Sequence, residues 1–407
     1  MNDKPLVWYV NIYYTLPLIV LSCLSFNTWE GKHYISKLVI LMFLFGCIFS
    51  RNVLKANFEN RDIRKIIAFW FAMSALLYLF VMFRGEQSSS ARTILVSLIY
   101  ILVVPWSKIT KEVVLFAVIS GGVAAGVASI YEQVFLGITK VGGIINQIPF
   151  ATYVAITLII SVNTYNIYQN RLIKIISVIS MLGSIYAIIM SEVRGVWLAL
   201  MVVSVCYLLS KIARLAVKKI ILMLISFLVI IASFTSSTAI ENRIKQTKIE
   251  FQEITNGNYD TSIGIRFQLW GSAIEMIKSH PLSGLGTIQY KNKMEEQYQK
   301  GLITSKALSF KDAHFHNQFL DSYVRYGILG LVFAFLIFTS PLYICNIIET
   351  GFKPSFIGIG ILLIVAGLTD VPLMHTGLIY MIVLYPAAIV LSNFTLNSRG
   401  AHEEINL

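Results

Sequence analysis

Two arginines and two histidines are the residues of this chain best suited to chemistry. Arg194 stands in Ser191-Glu192-Val193-Arg194-Gly195-Val196-Trp197, and Arg266 in Gly264-Ile265-Arg266-Phe267-Gln268-Leu269-Trp270. His314 and His316 share the run His314-Phe315-His316-Asn317-Gln318. A guanidinium presents a fixed fork of donors that matches phosphate oxygens. Neutral imidazole titrates near working pH and can take a proton from a hydroxyl. Each also has a plainer reading. Arg194 could snorkel from a helix end or pair with Glu192, Arg266 could be a solvated loop residue, and the histidines could simply be hydrogen-bonded. Metal binding is disfavoured by ligand count: zinc takes three or four ligands, and only Asp312 lies nearby in sequence. A spacing of two suits a strand, whereas on a helix the two rings would point apart. A helix starting near 315 would set His316, Leu320 and Tyr323 on one face. Asp370, in Gly367-Leu368-Thr369-Asp370, is either a solvated helix end or a carboxylate that orients a histidine or arginine.

The elements that must position these residues are mostly membrane helices. The 407 residues are 56% hydrophobic and 13% charged, against roughly 25% charged in soluble domains. Twelve apolar runs, from 10–26 to 374–395, predict an all-α polytopic membrane protein with about twelve spans. Nine lie before residues 235–325 and three after. The first run lacks a small-residue cleavage pattern and reads as a span rather than a signal peptide. With the N-terminus inside and the spans alternating, sixteen basic residues flank the inner ends and six the short outer segments. That bias puts both termini in the cytoplasm and the long polar segment on the outer face. It also accounts for the net charge of +12 without nucleic acid. The four cysteines all sit in apolar runs without CxxC spacing, so neither a disulfide framework nor a zinc site is suggested.

Three regions follow: a bundle over 1–234, a polar catalytic loop over 235–325, and a second bundle with a cytoplasmic tail over 326–407. Within the loop, Ile240, Ile244, Phe251 and Ile254 predict an amphipathic helix that Asn256-Gly257-Asn258 breaks. A second helix is expected over 263–278, a turn from Pro281 to Gly286, and a polar helix near 288–300. The loop carries eleven basic and nine acidic residues, so it is not a polybasic nucleic-acid surface. There is no GxxxxGK[ST] and no Asp-x-Asp pair, which argues against a P-loop ATPase and a metal–diphosphate clamp.

Taken together, Ser-x-x-Arg194-Gly-x-Trp, Gly-x-Arg266-x-x-x-Trp followed by His280-Pro281-Leu282-Ser283-Gly284-Leu285-Gly286, and His316-Asn317-Gln318-Phe319-Leu320 followed by Gly327-x-x-Gly330 resemble the O-antigen ligase/polymerase superfamily. Gly367-Leu368-Thr369-Asp370 is similar to a segment found after the loop in O-antigen ligases. The resemblance implies transfer of O-antigen from undecaprenyl diphosphate to lipid A–core, at the periplasmic face of a Gram-negative inner membrane, without metal or other cofactor. It implies His316 as base, Arg194 and Arg266 on the donor diphosphate, and His314, Asn317 and Asp370 in support. The related polymerase uses the same donor with a glycan-lipid acceptor. A lipid-linked glycan flippase would need charges through mid-membrane helices, and few are there.

Overall fold

The computed structural model describes residues 4–28, 31–142, 145–212, 238–348 and 350–392. Among them the regular structure is entirely helical. The first half comprises α1 (Lys4–Cys23), α2 (Gly31–Phe49), α3 (Arg51–Glu59), α4 (Arg61–Arg84), α5 (Ser89–Val103), α6 (Lys111–Val134), α7 (Gln147–Ile167), α8 (Arg171–Ser191) and α9 (Arg194–Ile212). The polar segment forms α10 (Thr238–Thr255), α11 (Ser262–Ser279), α12 (Gly286–Gln299) and the short α13 (Ser305–Leu308). The chain then runs through α14 (Gln318–Ile347), α15 (Lys353–Gly367) and α16 (Thr376–Leu391).

By length and composition, α4, α6, α7, α8 and α14 could each cross a membrane, and α2 with α3, bent by 101°, would make a sixth span. Five further apolar helices are shorter, within α1, α5, α9, α15 and α16. Eleven of the twelve apolar runs therefore coincide with helices, although only five or six reach full spanning length. The ninth run, 217–234, lies outside the described residues.

Small residues let the helices approach. A Cβ on Gly126 of α6 would fall 2.7 Å from Gly183 Cα of α8, and one on Gly122 would fall 2.3 Å from Ser180 Oγ. Close backbone packing of this kind is how helices associate in lipid, where apolar burial alone gives no drive. In α16, residues 377–391 are all buried. A helix apolar on every side belongs inside a bundle, and the start of α16 presents His375.

The polar segment has a core of its own. Ile265, Leu269, Ala273, Met276, Leu285, Tyr290, Met294, Ile303, Ala307, Phe315 and Val324 cluster apart from the main core. The helices within it match expectation to within two residues: Thr238–Thr255, Ser262–Ser279 and Gly286–Gln299. The breaks match too, with Gly257 at φ 86° and Gly284 and Gly286 at φ 64° and 73°.

Gly284 meets the kink in α14. A Cβ there would lie 2.4 Å from the backbone N of Gly327, itself at φ 65° and ψ −154°. Leu285 N–H donates to Val324 O, and Arg84 Nη2 donates to Ser283 O at 2.9 Å. The turn of the polar segment is thus seated on the bend of α14, and the two glycine motifs of the sequence are halves of one contact.

Candidate active site

His314 and His316 lie in the turn that leads into α14. The expected helix from 315 does not form. His316 adopts φ 49° and α14 begins only at Gln318. Asn317 is the N-cap, its Oδ1 accepting from the N–H groups of Phe319 and Leu320 at 3.0 and 3.1 Å. That cap satisfies donors a helix start leaves orphaned, so the helix starts after the histidines rather than at them. The turn brings the two rings together, centroids 4.4 Å apart, with His316 N–H donating to His314 Nδ1 at 3.1 Å. Phe315 between them is 1% exposed and packs on Tyr290 in the core of the polar segment. The histidines are therefore fixed to that segment by the residue that separates them.

Asp370 comes from the other side. The expectation of a solvated helix end is wrong: Asp370 is 3% exposed. Its Oδ1 lies 3.8 Å from His314 Nε2 and 3.8 Å from His316 Nδ1, and its Oδ2 lies 3.8 Å from His375 Nε2. These are ion-pair separations, longer than direct hydrogen bonds. Burial pushes the Asp370 carboxyl up, but the three surrounding imidazoles outweigh it and hold the group below the ordinary range. Burial lowers His314 to about 4, against the pull of Asp370 in the other direction. His314 is thus neutral at physiological pH beside an ionised carboxylate.

Arg194 opens α9 two residues after Glu192, which takes a left-handed φ of 53°. A cation at a helix N-terminus opposes the helix dipole, and here an acid offsets it. Arg194 Nη2 donates to Glu250 Oε1 at 3.0 Å and Nη1 to Thr247 Oγ1 at 2.6 Å, both on α10. The other oxygen of Glu250 accepts from Ile263 N–H at the start of α11. One turn further on is Arg266, whose Nη1 donates to Ser262 O and Oγ at 3.1 and 3.0 Å. Glu250 thus ties Arg194 to the first turn of α11, the helix that carries Arg266. Arg194 is also one residue from the cluster's own strand of chain: a Cβ on Gly195 would fall 2.2 Å from Thr369 Oγ1, the neighbour of Asp370.

Arg325 and its partners escaped the sequence reading. Its side chain, 7% exposed, uses all five of its donors. Nε donates to Asp321 at 2.8 Å, Nη1 to Glu86 at 3.3 Å and Thr287 Oγ1 at 2.8 Å, and Nη2 to Tyr290 Oη and Ala313 O, both at 3.1 Å. Ala313 adjoins His314, and Asp321 Oδ1 also accepts from Phe315 N–H at 3.4 Å. Arg325 thus holds the histidine turn at two backbone points. Its spacing of four from Asp321 was readable on a helix, but nothing in the sequence pointed to Glu86, which comes from the loop after α4. A cavity of about 230 Å³ lies beside this network, between Glu86, Tyr290, Gln318 and Leu373. A larger apolar groove of about 750 Å³ on α1, α6 and α8 contains none of these residues.

Residues 176–335 match the family model for O-antigen ligase. Over this segment the chain is similar to that family. The match covers Arg194, Arg266 and both histidines of the ligase-like region, while Asp370 and His375 lie beyond it. The chain is also 26% identical over 306 residues to an uncharacterized protein of Haemophilus influenzae, covering 71% of this chain and 74% of that one.

Proposed function

We propose that the protein is an O-antigen ligase, moving the glycan from undecaprenyl diphosphate to lipid A–core at the periplasmic face of the inner membrane. The observation that carries this reading is the pairing of His316 with buried Asp370, beside the helix end that bears Arg194, in a chain similar to the ligase family. His316 turns Nδ1 toward the carboxylate, which leaves Nε2 to accept a proton. A core-sugar hydroxyl attacks the anomeric carbon as His316 takes its proton. The bond from that carbon to the phosphate oxygen breaks, and undecaprenyl diphosphate leaves with the electron pair. Arg194 and Arg266 offset the charge growing on the leaving group, the type of electrostatic help that most lowers such barriers. The donor is already activated, so the transfer requires no nucleotide.

A deletion strain tests the reaction. Lipopolysaccharide gels should show bare core and accumulated lipid-linked polymer, whereas core bearing a single repeat unit would identify a polymerase instead. The site is tested in purified protein with both lipid substrates. His316→Ala should lower transfer by about 10²–10⁴-fold, the range for a lost general base, with membrane insertion unchanged. Arg266→Lys should also impair transfer, because lysine keeps the charge but loses the fork. Full activity in both variants would remove these residues from the mechanism.

A further inference from the structure

We propose that His314, His316 and Asp370, flanked by His375 on the second carboxylate oxygen, form a site for a divalent ion of the zinc class, and that its occupancy withdraws His316 from proton transfer. The second half rests on His316 being the base; the first does not. Sequence spacing offered too few ligands, but folding supplies them from α15 and the start of α16. One donor atom each from His314, His316 and Asp370 lies within 4.8 Å of the others. The two nitrogens approach one carboxylate oxygen at 3.8 Å, and His375 Nε2 approaches the second oxygen at the same distance. Imidazole and carboxylate are the donors of zinc sites, and bonds of about 2.0–2.1 Å set tetrahedral donors roughly 3.4 Å apart. Each nitrogen–oxygen gap would close by about 0.4 Å to reach that geometry.

A second observation points to the same space. His316 Nδ1 is buried and faces Asp370 at 3.8 Å, beyond direct hydrogen-bond distance. An imidazole nitrogen left so would ordinarily be corrected by packing, because a buried polar atom without a partner is costly. Here the turn that aims it is itself uncommon, with a non-glycine residue at φ 49°. An ion between the rings and the carboxylate would take up the nitrogen's lone pair. The same bond would fix the ring on the ion and deny it the mobility and basicity that proton transfer uses.

The test uses full-length protein in detergent, without a histidine tag and stripped by a chelator. Titration with Zn²⁺ against a chromophoric competitor should show a single saturable ion per chain, and Co²⁺ should give the visible bands of a tetrahedral site. Asp370→Asn and His314→Ala should each weaken binding at least tenfold, and the milder His375→Gln should weaken it less, with size-exclusion profiles reporting folding. Wild type that fails to bind, or binding equal in all three variants, overturns the site. Added Zn²⁺ should slow glycan transfer in step with occupancy, and full transfer at saturation overturns the inhibitory role. Binding is read without glycan substrates, so a failure of the ligase assignment leaves that arm intact.

Discussion

At the scale of single residues, the carboxylate of Asp370 governs the histidines more than their own sequence does. Asp370→Asn keeps the shape but removes the charge that faces His316 Nδ1. Transfer in purified protein should fall by roughly 10²-fold, a loss in the range assigned to acid–base partners, with KM for donor little changed. His314 gives a separate, non-catalytic signal. Its folded value of about 4 lies below the ordinary 6.5, so between those pH values the unfolded chain binds a proton that the folded chain does not. Stability should therefore fall as pH drops from about 6.5 toward 4 and stay level above 6.5. Thermal unfolding at pH 7 and pH 5 checks this, since His314→Gln should lose less on acidification than the wild type. The arginines, histidines and Asp370 were all legible as chemical types in the sequence. The meeting of His314, His316 and Asp370 was not, because His316 leaves helical geometry at one backbone angle and Asp370 reaches it from 54 positions away.

Among the elements, the junction of the polar segment with α14 combines left-handed glycines with a buried ion-pair network. Arg325 ties Asp321, Glu86, Thr287, Tyr290 and Ala313 together with every donor it has. Arg325→Met would leave two buried carboxylates unpaired, a change of about 3–5 kcal/mol for broken buried ion pairs. The expected result is a lower unfolding temperature and slower transfer, with the double variant Arg325→Met, Glu86→Gln recovering part of the stability. Gly284→Ala should also destabilise by more than 1 kcal/mol, about the cost of a left-handed L-residue, because its Cβ meets Gly327 N at 2.4 Å. The helices of this region were predictable because apolar residues recur at helical spacing and glycines interrupt them. The clamp was not, because Glu86 of a loop, Thr287 of α12 and Arg325 of α14 are joined only by the meeting of three separate elements.

Across the whole molecule, two cores share one site. The polar segment contributes His314 and His316; the bundle contributes Asp370 and His375. Polytopic character was readable from composition alone, whereas span count is harder, since the helices within α1, α5, α9, α15 and α16 fall short of full spanning length. Orientation can be settled by single cysteines at positions 32 and 296 in a cysteine-free background. Both should react with an impermeant maleimide from the outer face, and a cysteine at position 353 should not. The close approach of Gly195 to Thr369 has a consequence in time as well as space. Residues 194 and 266 are synthesised long before 370 and 375, so during synthesis the arginines and histidines exist first without their carboxylate. A nascent chain halted between residues 316 and 370 would hold both arginines, His314 and His316 but not the carboxylate that the two histidines face. Competence therefore arrives late, when α15 docks beside α9 and closes the site behind the ribosome.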